Sequence, residues 1–270
     1  MDRGVCRWMV DLSTWHPSPH EFSSALSLLP QSEHPSILRF VRMEDRKRAL
    51  VSRLLQYILV FEVDGIPYRR IVIKRTPEGK PYLECDRNTA KFPSFNFNVS
   101  HQGDYVGIAS EPVRLVGFDI VSYTKPDNES VEDFLQHFRS HFTSWEWGRI
   151  LEIGNCEGRL IEFYRYWSLK EAYVKAVGTG VGFGLERLEF HHDGNWNGIY
   201  VKIDGKMSRD WRFRMIDLGE RHCASVAVGP RSDDETNERV GEHQESVSLE
   251  GVDFVWRSVE ELVVVLDKAR

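Results

Sequence analysis

One carboxylate lies inside a strongly apolar stretch of the sequence. The run Leu115–Val121 contains a single charged residue, Asp119, and such a run is typical of a buried strand. An ionised carboxylate there must be paired, protonated or bound to a cation, because burying it alone is costly. Asp119 is therefore either a cap at the end of the strand or a metal ligand.

A second carboxylate and an ammonium group lie four residues apart in Trp167–Ala176. On a helix, Glu171 and Lys175 would share one face. A surface ion pair, which contributes little to stability, is the simpler interpretation. The alternative is that the two groups bind a divalent metal and a phosphate oxygen, since large apolar side chains leave this helix little solvated surface: Phe163, Tyr164, Trp167, Tyr173 and Val174.

The glycine-rich segment Gly178–Gly184 has the composition of a phosphate-binding loop but not its context. It follows a helix instead of a strand and lacks the G-K-[ST] ending. It is better interpreted as a helix C-cap and turn.

These residues require a scaffold that mixes helices and strands. The periodicity of apolar residues predicts helices at Arg46–Phe61, Glu129–Phe142, Trp145–Ile153 and Arg159–Val177. It predicts strands at Arg7–Leu12, Ile71–Lys74, Phe95–Ser100, Tyr105–Ser110, Leu115–Val121, Leu188–Phe190, Ile199–Ile203, Trp211–Ile216 and Cys223–Val228. We therefore expect an α+β protein with two α/β subdomains, 1–115 and 116–230. A disordered linker at 231–249 and a C-terminal helix at 250–270 would follow.

Composition excludes several classes of protein. The 270 residues include 35 basic and 41 acidic ones, for a net charge of −6, which argues against nucleic-acid binding. No stretch approaches the ~18 apolar residues of a membrane span, and the N-terminus lacks signal-peptide and transit-peptide features. Four cysteines without a C-x-x-C pair indicate reduced thiols. We expect a cytoplasmic protein without membrane contact.

The charge is unevenly distributed. Residues 36–91 contain 13 Lys and Arg against 7 Asp and Glu, a local charge of +6. This segment is either a solvated helix with its loops or a site for a small polyanion.

Four motifs in order resemble the signature of the 4′-phosphopantetheinyl transferases. They are Gly79-Lys80-Pro81, Asn98-Val99-Ser100-His101, Val116-Gly117-Phe118-Asp119-Ile120 and the segment Trp167–Ala176. The resemblance extends from about Phe40 to Val228. It is closest to the monomeric surfactin-type branch and, within it, to the eukaryotic aminoadipate-semialdehyde dehydrogenase phosphopantetheinyl transferases.

The resemblance implies a fold, a reaction and a set of site residues. The fold would be two similar α/β subdomains in a pseudo-twofold arrangement, with coenzyme A in the cleft between them. The enzyme would transfer phosphopantetheine from coenzyme A to a serine of an apo acyl or peptidyl carrier domain, releasing adenosine 3′,5′-bisphosphate, in fatty acid or lysine metabolism. Asp119 and Glu171 would hold Mg²⁺, and Lys175 would contact the same phosphates. Glu171 would also accept the serine proton, directly or through water. The adenosine 3′-phosphate and nearby groups would be bound by Arg48, Arg75, Lys80, Ser100 and His101.

Two positions depart from the family pattern. Val121 replaces a second acid two residues after Asp119, which leaves the third metal position to water or to Gln102. Ser36 replaces a basic residue, which leaves the 3′-phosphate to Arg39 or Arg75. These departures leave open an alternative, a non-catalytic module that binds coenzyme A or carrier proteins. Because Asp119, Glu171 and Lys175 are all present, we expect an active enzyme. A metal-dependent phosphohydrolase would need the same two carboxylates and is a third interpretation.

Overall fold

The computed structural model describes residues 4–86, 90–231 and 253–270. The helices of this part of the chain are α1 (Pro19–Ser27), α2 (His34–Leu38), α3 (Met43–Leu59), α4 (Val131–Gln136), α5 (Ser144–Glu152), α6 (Cys156–Val177) and α7 (Val259–Ala269). The strands are β1 (Cys6–Asp11), β2 (Ile73–Arg75), β3 (Pro81–Leu83), β4 (Asn96–Gln102), β5 (Tyr105–Glu111), β6 (Leu115–Ser122), β7 (Leu188–His191), β8 (Tyr200–Ile203), β9 (Lys206–Met207), β10 (Arg212–Leu218), β11 (His222–Gly229) and β12 (Val255–Trp256). The protein is thus of the mixed α+β class.

The described residues form two compact units, each mixing helices and strands. Among the described residues, the first unit comprises 4–86, 90–113 and 253–270, and the second comprises 114–231. The sequence predicts a boundary after residue 115 and a separate C-terminal helix at 250–270. In the structure, β12 instead pairs in parallel with β1, and α7 packs against α3. The C-terminal segment is therefore part of the first unit, because its apolar residues Val259, Leu262 and Leu266 enter that core.

The first unit is built on a four-stranded sheet in the order β12-β1-β5-β4. The β1–β5 and β5–β4 pairs are antiparallel, and β2 and β3 form a separate two-stranded sheet. Helix α3 packs against β5, and the apolar stripe predicted for it is fully buried at Leu50, Leu54 and Ile58.

The second unit positions the carboxylates discussed above. Its main sheet has the order β10-β11-β6, with antiparallel pairs throughout, and α6 packs on β6 and β11. A second sheet, β7-β8-β9, pairs Leu188 with Ile203. Large aromatic side chains on α6, including Phe163, Tyr166 and Tyr173, form much of the core.

Several predicted elements differ from those observed. The predicted helix Glu129–Phe142 is a six-residue α4 followed by a short 3₁₀ turn at Arg139–His141. Helix α1 was not predicted, although Ser18 and Glu21 form a reciprocal capping box and Pro19 occupies its first turn. The expected disordered linker at 231–249 lies outside the described residues beyond Arg231.

No helix in the described residues is long and apolar enough to cross a membrane. The four cysteines are all free thiols.

Candidate functional site

Asp119 lies in the interior of β6 and is only 5% exposed. It pairs across the sheet with Ser225 of β11, and every residue of β6 from Val116 to Ser122 is buried. Because β6 continues for three residues beyond Asp119, the interpretation of this residue as a strand-end cap is wrong. Its carboxylate is instead bound by an ammonium group, with Lys175 Nζ lying 2.5 Å from Asp119 Oδ1.

Helix α6 brings Glu171 and Lys175 to this strand. The Asn155 side chain caps its N-terminus by accepting a hydrogen bond from the Gly158 amide at 2.7 Å, and Gly178 ends it with a φ of 79°. That left-handed residue confirms the predicted C-cap. The helix lies so close to β6 that a Cβ on Gly117 would be 1.8 Å from the Ala172 carbonyl oxygen. A glycine is therefore required where α6 crosses β6.

Asp119 and Glu171 are close enough to influence one another electrostatically. Burial raises the pKa of the Glu171 carboxyl above its usual value, and the negative charge of Asp119 raises it further. Lys175 and His141 act in the opposite direction and lower the pKa of Glu171. Two carboxylates and one ammonium group thus share a partly buried environment, in which a cation would favour the ionised form of both acids.

The chemistry of these donors fits Mg²⁺. This ion takes oxygen ligands and commonly uses one or two protein carboxylates together with substrate phosphates and water. Among the described residues, no group of three or more His, Cys, Asp or Glu side chains could hold a metal. Val121, on the same side of β6 as Asp119, supplies no ligand atom. Substrate and water oxygens would therefore complete a site begun by Asp119 and Glu171.

A cluster of guanidinium groups lies in the first unit. The pKa of Arg75 is lowered to about 10, chiefly by partial burial and further by the positive charges of Arg53 and Arg39. The acid that acts on this group is Glu33, whose Oε2 lies 2.8 Å from Arg53 Nε. Such an excess of positive charge favours an anion.

Sequence reasoning missed Arg53 as a candidate. No local pattern singles it out, because its relation to Arg75 depends on contacts between segments that are far apart in the chain. Ser36 does not substitute for a basic group, since its hydroxyl donates to the Glu33 carbonyl at 2.7 Å.

The other predicted phosphate-binding residues also belong to the first unit. Arg75 Nη1 donates to the Gly79 carbonyl at 2.9 Å, which ties it to the β2–β3 turn that carries Lys80. Ser100 is buried and His101 exposed at the end of β4. Arg48 donates to the Gly103 carbonyl at 2.7 Å and pairs with Asp45, so it holds the β4–β5 turn.

Both units match family models of the same group of proteins. Residues 13–113 match the family model described as 4′-phosphopantetheinyl transferase, N-terminal, and residues 115–227 match that of the 4′-phosphopantetheinyl transferase superfamily. The chain is 37% identical over 232 residues to the L-aminoadipate-semialdehyde dehydrogenase-phosphopantetheinyl transferase of Xenopus laevis, covering 84% of this chain and 76% of the relative. The human protein of that name is also 37% identical, with 82% and 74% covered. A phosphopantetheinyl transferase of Thraustochytrium sp. is 39% identical, with 82% and 77% covered.

Proposed function

The chain belongs to the 4′-phosphopantetheinyl transferase superfamily, and we propose that it transfers 4′-phosphopantetheine from coenzyme A to a serine of an apo acyl or peptidyl carrier domain. Adenosine 3′,5′-bisphosphate would be the second product. The observation that carries this proposal is the grouping of Asp119, Glu171 and Lys175 on β6 and α6, within the segment that matches the superfamily.

The residues of this group have separate tasks in the proposed reaction. Asp119 and Glu171 would hold Mg²⁺, which when bound neutralises negative charge on the pyrophosphate. Lys175 supplies a second positive charge, positioned by its contact with Asp119. The serine oxygen bonds to the β-phosphorus while the bond from that phosphorus to the bridging oxygen breaks. The serine proton passes to Glu171, directly or through water.

We assign the adenosine 3′-phosphate and neighbouring groups to the basic residues of the first unit. Arg75 is the central residue of this assignment, with Arg53 and Arg39 adding positive charge. Lys80, Ser100, His101 and Arg48 complete it. Guanidinium groups suit this task because they donate several hydrogen bonds to one phosphate.

A transfer assay tests the proposal. The protein is mixed with coenzyme A, Mg²⁺ and a panel of apo carrier domains from fatty acid and lysine metabolism. The mass of each carrier is then measured by mass spectrometry. We expect at least one carrier to gain the mass of phosphopantetheine. No gain on any carrier, with coenzyme A bound, would instead support a non-catalytic binding module. Release of phosphopantetheine without a carrier would indicate a phosphohydrolase.

Variants of the two carboxylates test the assigned site. Asp119→Ala and Glu171→Gln should each abolish measurable transfer, since each removes charge that the reaction needs. Retained transfer by either variant would show that the metal site is elsewhere.

A further inference from the structure

A second pair of opposite charges lies deep inside the second unit, away from Asp119. Glu146, in the first turn of α5, and Lys170, in the middle of α6, have side chains that are 0% exposed. Lys170 Nζ lies 2.8 Å from Glu146 Oε2. Neither residue has a part in the reaction proposed above.

Every hydrogen of the Lys170 ammonium group has an acceptor. Besides Glu146, Lys170 Nζ donates to the carbonyl of Leu185 at 2.9 Å and to that of Leu188. An ammonium group has three hydrogens, so its bonding capacity is filled. Lys170 thus fastens α6 to the chain segment that leads into β7.

Glu146 extends the same network to two further elements. Its Oε1 accepts from the Phe190 amide in β7 at 2.9 Å, and its Oε2 accepts from the Thr143 amide at the start of α5 at 3.0 Å. The pair therefore joins α5, α6 and β7 through fixed hydrogen bonds.

Stability alone does not account for such a pair. Replacing a buried ion pair by well-packed apolar residues is often neutral or stabilising, because two charges must be removed from water. What the pair supplies is a defined position for α6. A helix that slips by one residue moves by about 1.5 Å and turns by about 100°, and here such a slip would break the three contacts of the Lys170 ammonium group at once.

The residues next to Lys170 along α6 are those that need a fixed position. Glu171 follows it directly, and Lys175 lies just over one turn later. Between them, Ala172 contacts Gly117 of β6, which fixes how closely the helix approaches the strand. We propose that the Glu146–Lys170 pair is a positioning device for the transfer reaction, setting the rotation and height of α6 so that Glu171 and Lys175 meet Asp119. This inference rests on the proposed function.

The test compares two buried ion pairs. Lys170→Met and Glu146→Gln perturb the pair in question, and Arg7→Met perturbs the Arg7–Glu111 pair of the first unit, whose side chains are also buried. For each protein, kcat for transfer, Kd for coenzyme A by calorimetry and Tm are measured, with kcat determined well below Tm. A displacement of about 1 Å can lower a rate by about 100-fold.

We expect Lys170→Met to lose about 100-fold in kcat, with its Kd for coenzyme A within about threefold of the parent. Glu146→Gln should show a smaller loss of the same kind, because an amide retains part of the bonding. Arg7→Met should have a lower Tm than the parent but the same kcat.

Two results would overturn the inference. One is a Lys170→Met protein whose kcat falls no further than that of Arg7→Met, and the other is a fall in kcat matched by an equal loss of coenzyme A binding. If Lys170→Met does not fold, the same criteria apply to Glu146→Gln. A parent protein without any transfer activity would overturn the proposed function itself, which separates the two failures.

Discussion

Replacing Gly117 by alanine tests how closely α6 must lie on β6. The new Cβ would be 1.8 Å from the Ala172 carbonyl oxygen and 2.4 Å from the Ala176 amide nitrogen. Close carbon–oxygen contacts begin at about 3.3 Å, so α6 would have to move from β6 by about 1.5 Å. Both neighbours are backbone atoms, which cannot rotate away as a side chain could.

The displacement would reach the site directly. On α6, Glu171 directly precedes Ala172 and Lys175 directly precedes Ala176, whereas Asp119 lies two residues after Gly117 on β6. A misplacement of about 1 Å can cost about 100-fold in rate, and overpacking costs about 1–3 kcal/mol. We therefore expect Gly117→Ala to lower kcat about 100-fold and the free energy of unfolding by about 1–3 kcal/mol.

The assay is transfer to an apo carrier at saturating coenzyme A, followed by mass spectrometry, together with urea unfolding. Gly148→Ala is the matched control, because a Cβ at this position in α5 meets nothing within 4 Å. Gly148→Ala should keep the parent kcat, and its free energy of unfolding should rise by about 0.5–1 kcal/mol, since alanine is more favourable than glycine in a helix interior. A Gly117→Ala protein with the parent kcat and stability would refute the close packing of α6 on β6.

Three further predictions concern separate parts of the molecule. Arg75→Ala should raise KM for coenzyme A by about 10- to 100-fold, the range for a lost hydrogen bond to a charged group. It should leave KM for 3′-dephospho-coenzyme A unchanged, because that substrate lacks the 3′-phosphate. The control Lys74→Ala, which removes an exposed ion pair with Glu84, should change neither of the two KM values. In the metal-free protein, NMR titration should show that the pKa of Glu171 lies above its usual value of 4.5. Asp119→Asn should lower this pKa but not return it to 4.5, because burial is the larger cause of the shift. If the pKa of Glu171 is the same in Asp119→Asn as in the parent, the two carboxylates do not interact. Asn155→Ala should destabilise the protein by about 1 kcal/mol, because α6 loses its N-cap. The variant should have a lower Tm and the same kcat as the parent, and an unchanged Tm would contradict the capping role of Asn155.

Local patterns predicted much of the fold. The apolar stripe of α3, the strands β4, β5 and β6 and the C-cap at Gly178 lie where periodicity and residue type placed them. These features depend on neighbours within a few residues, so the sequence carries them directly. The predicted helix at Glu129–Phe142 was too long, since periodicity alone does not show where tertiary packing ends a helix.

Residue types also identified part of the candidate site. A lone carboxylate in the apolar run of β6 indicated that Asp119 is paired, protonated or bound to a cation, but the sequence did not show which of these applies. Lys175 lies four residues from Glu171 and 56 from Asp119, and only the packing of α6 on β6 places its ammonium group against Asp119. Arg53 was missed because its relation to Arg75 depends on how α3 and the β2–β3 turn meet.

The sequence by itself determined which groups are available for chemistry: two carboxylates, one lysine, and an excess of positive charge between residues 36 and 91. Tertiary structure decided which of them come together. The register of β6 on β11, the absence of a side chain at Gly117 and the buried Glu146–Lys170 pair fix the position of α6. Each of these depends on contacts between residues far apart in the chain, and such contacts form only when the elements pack against one another.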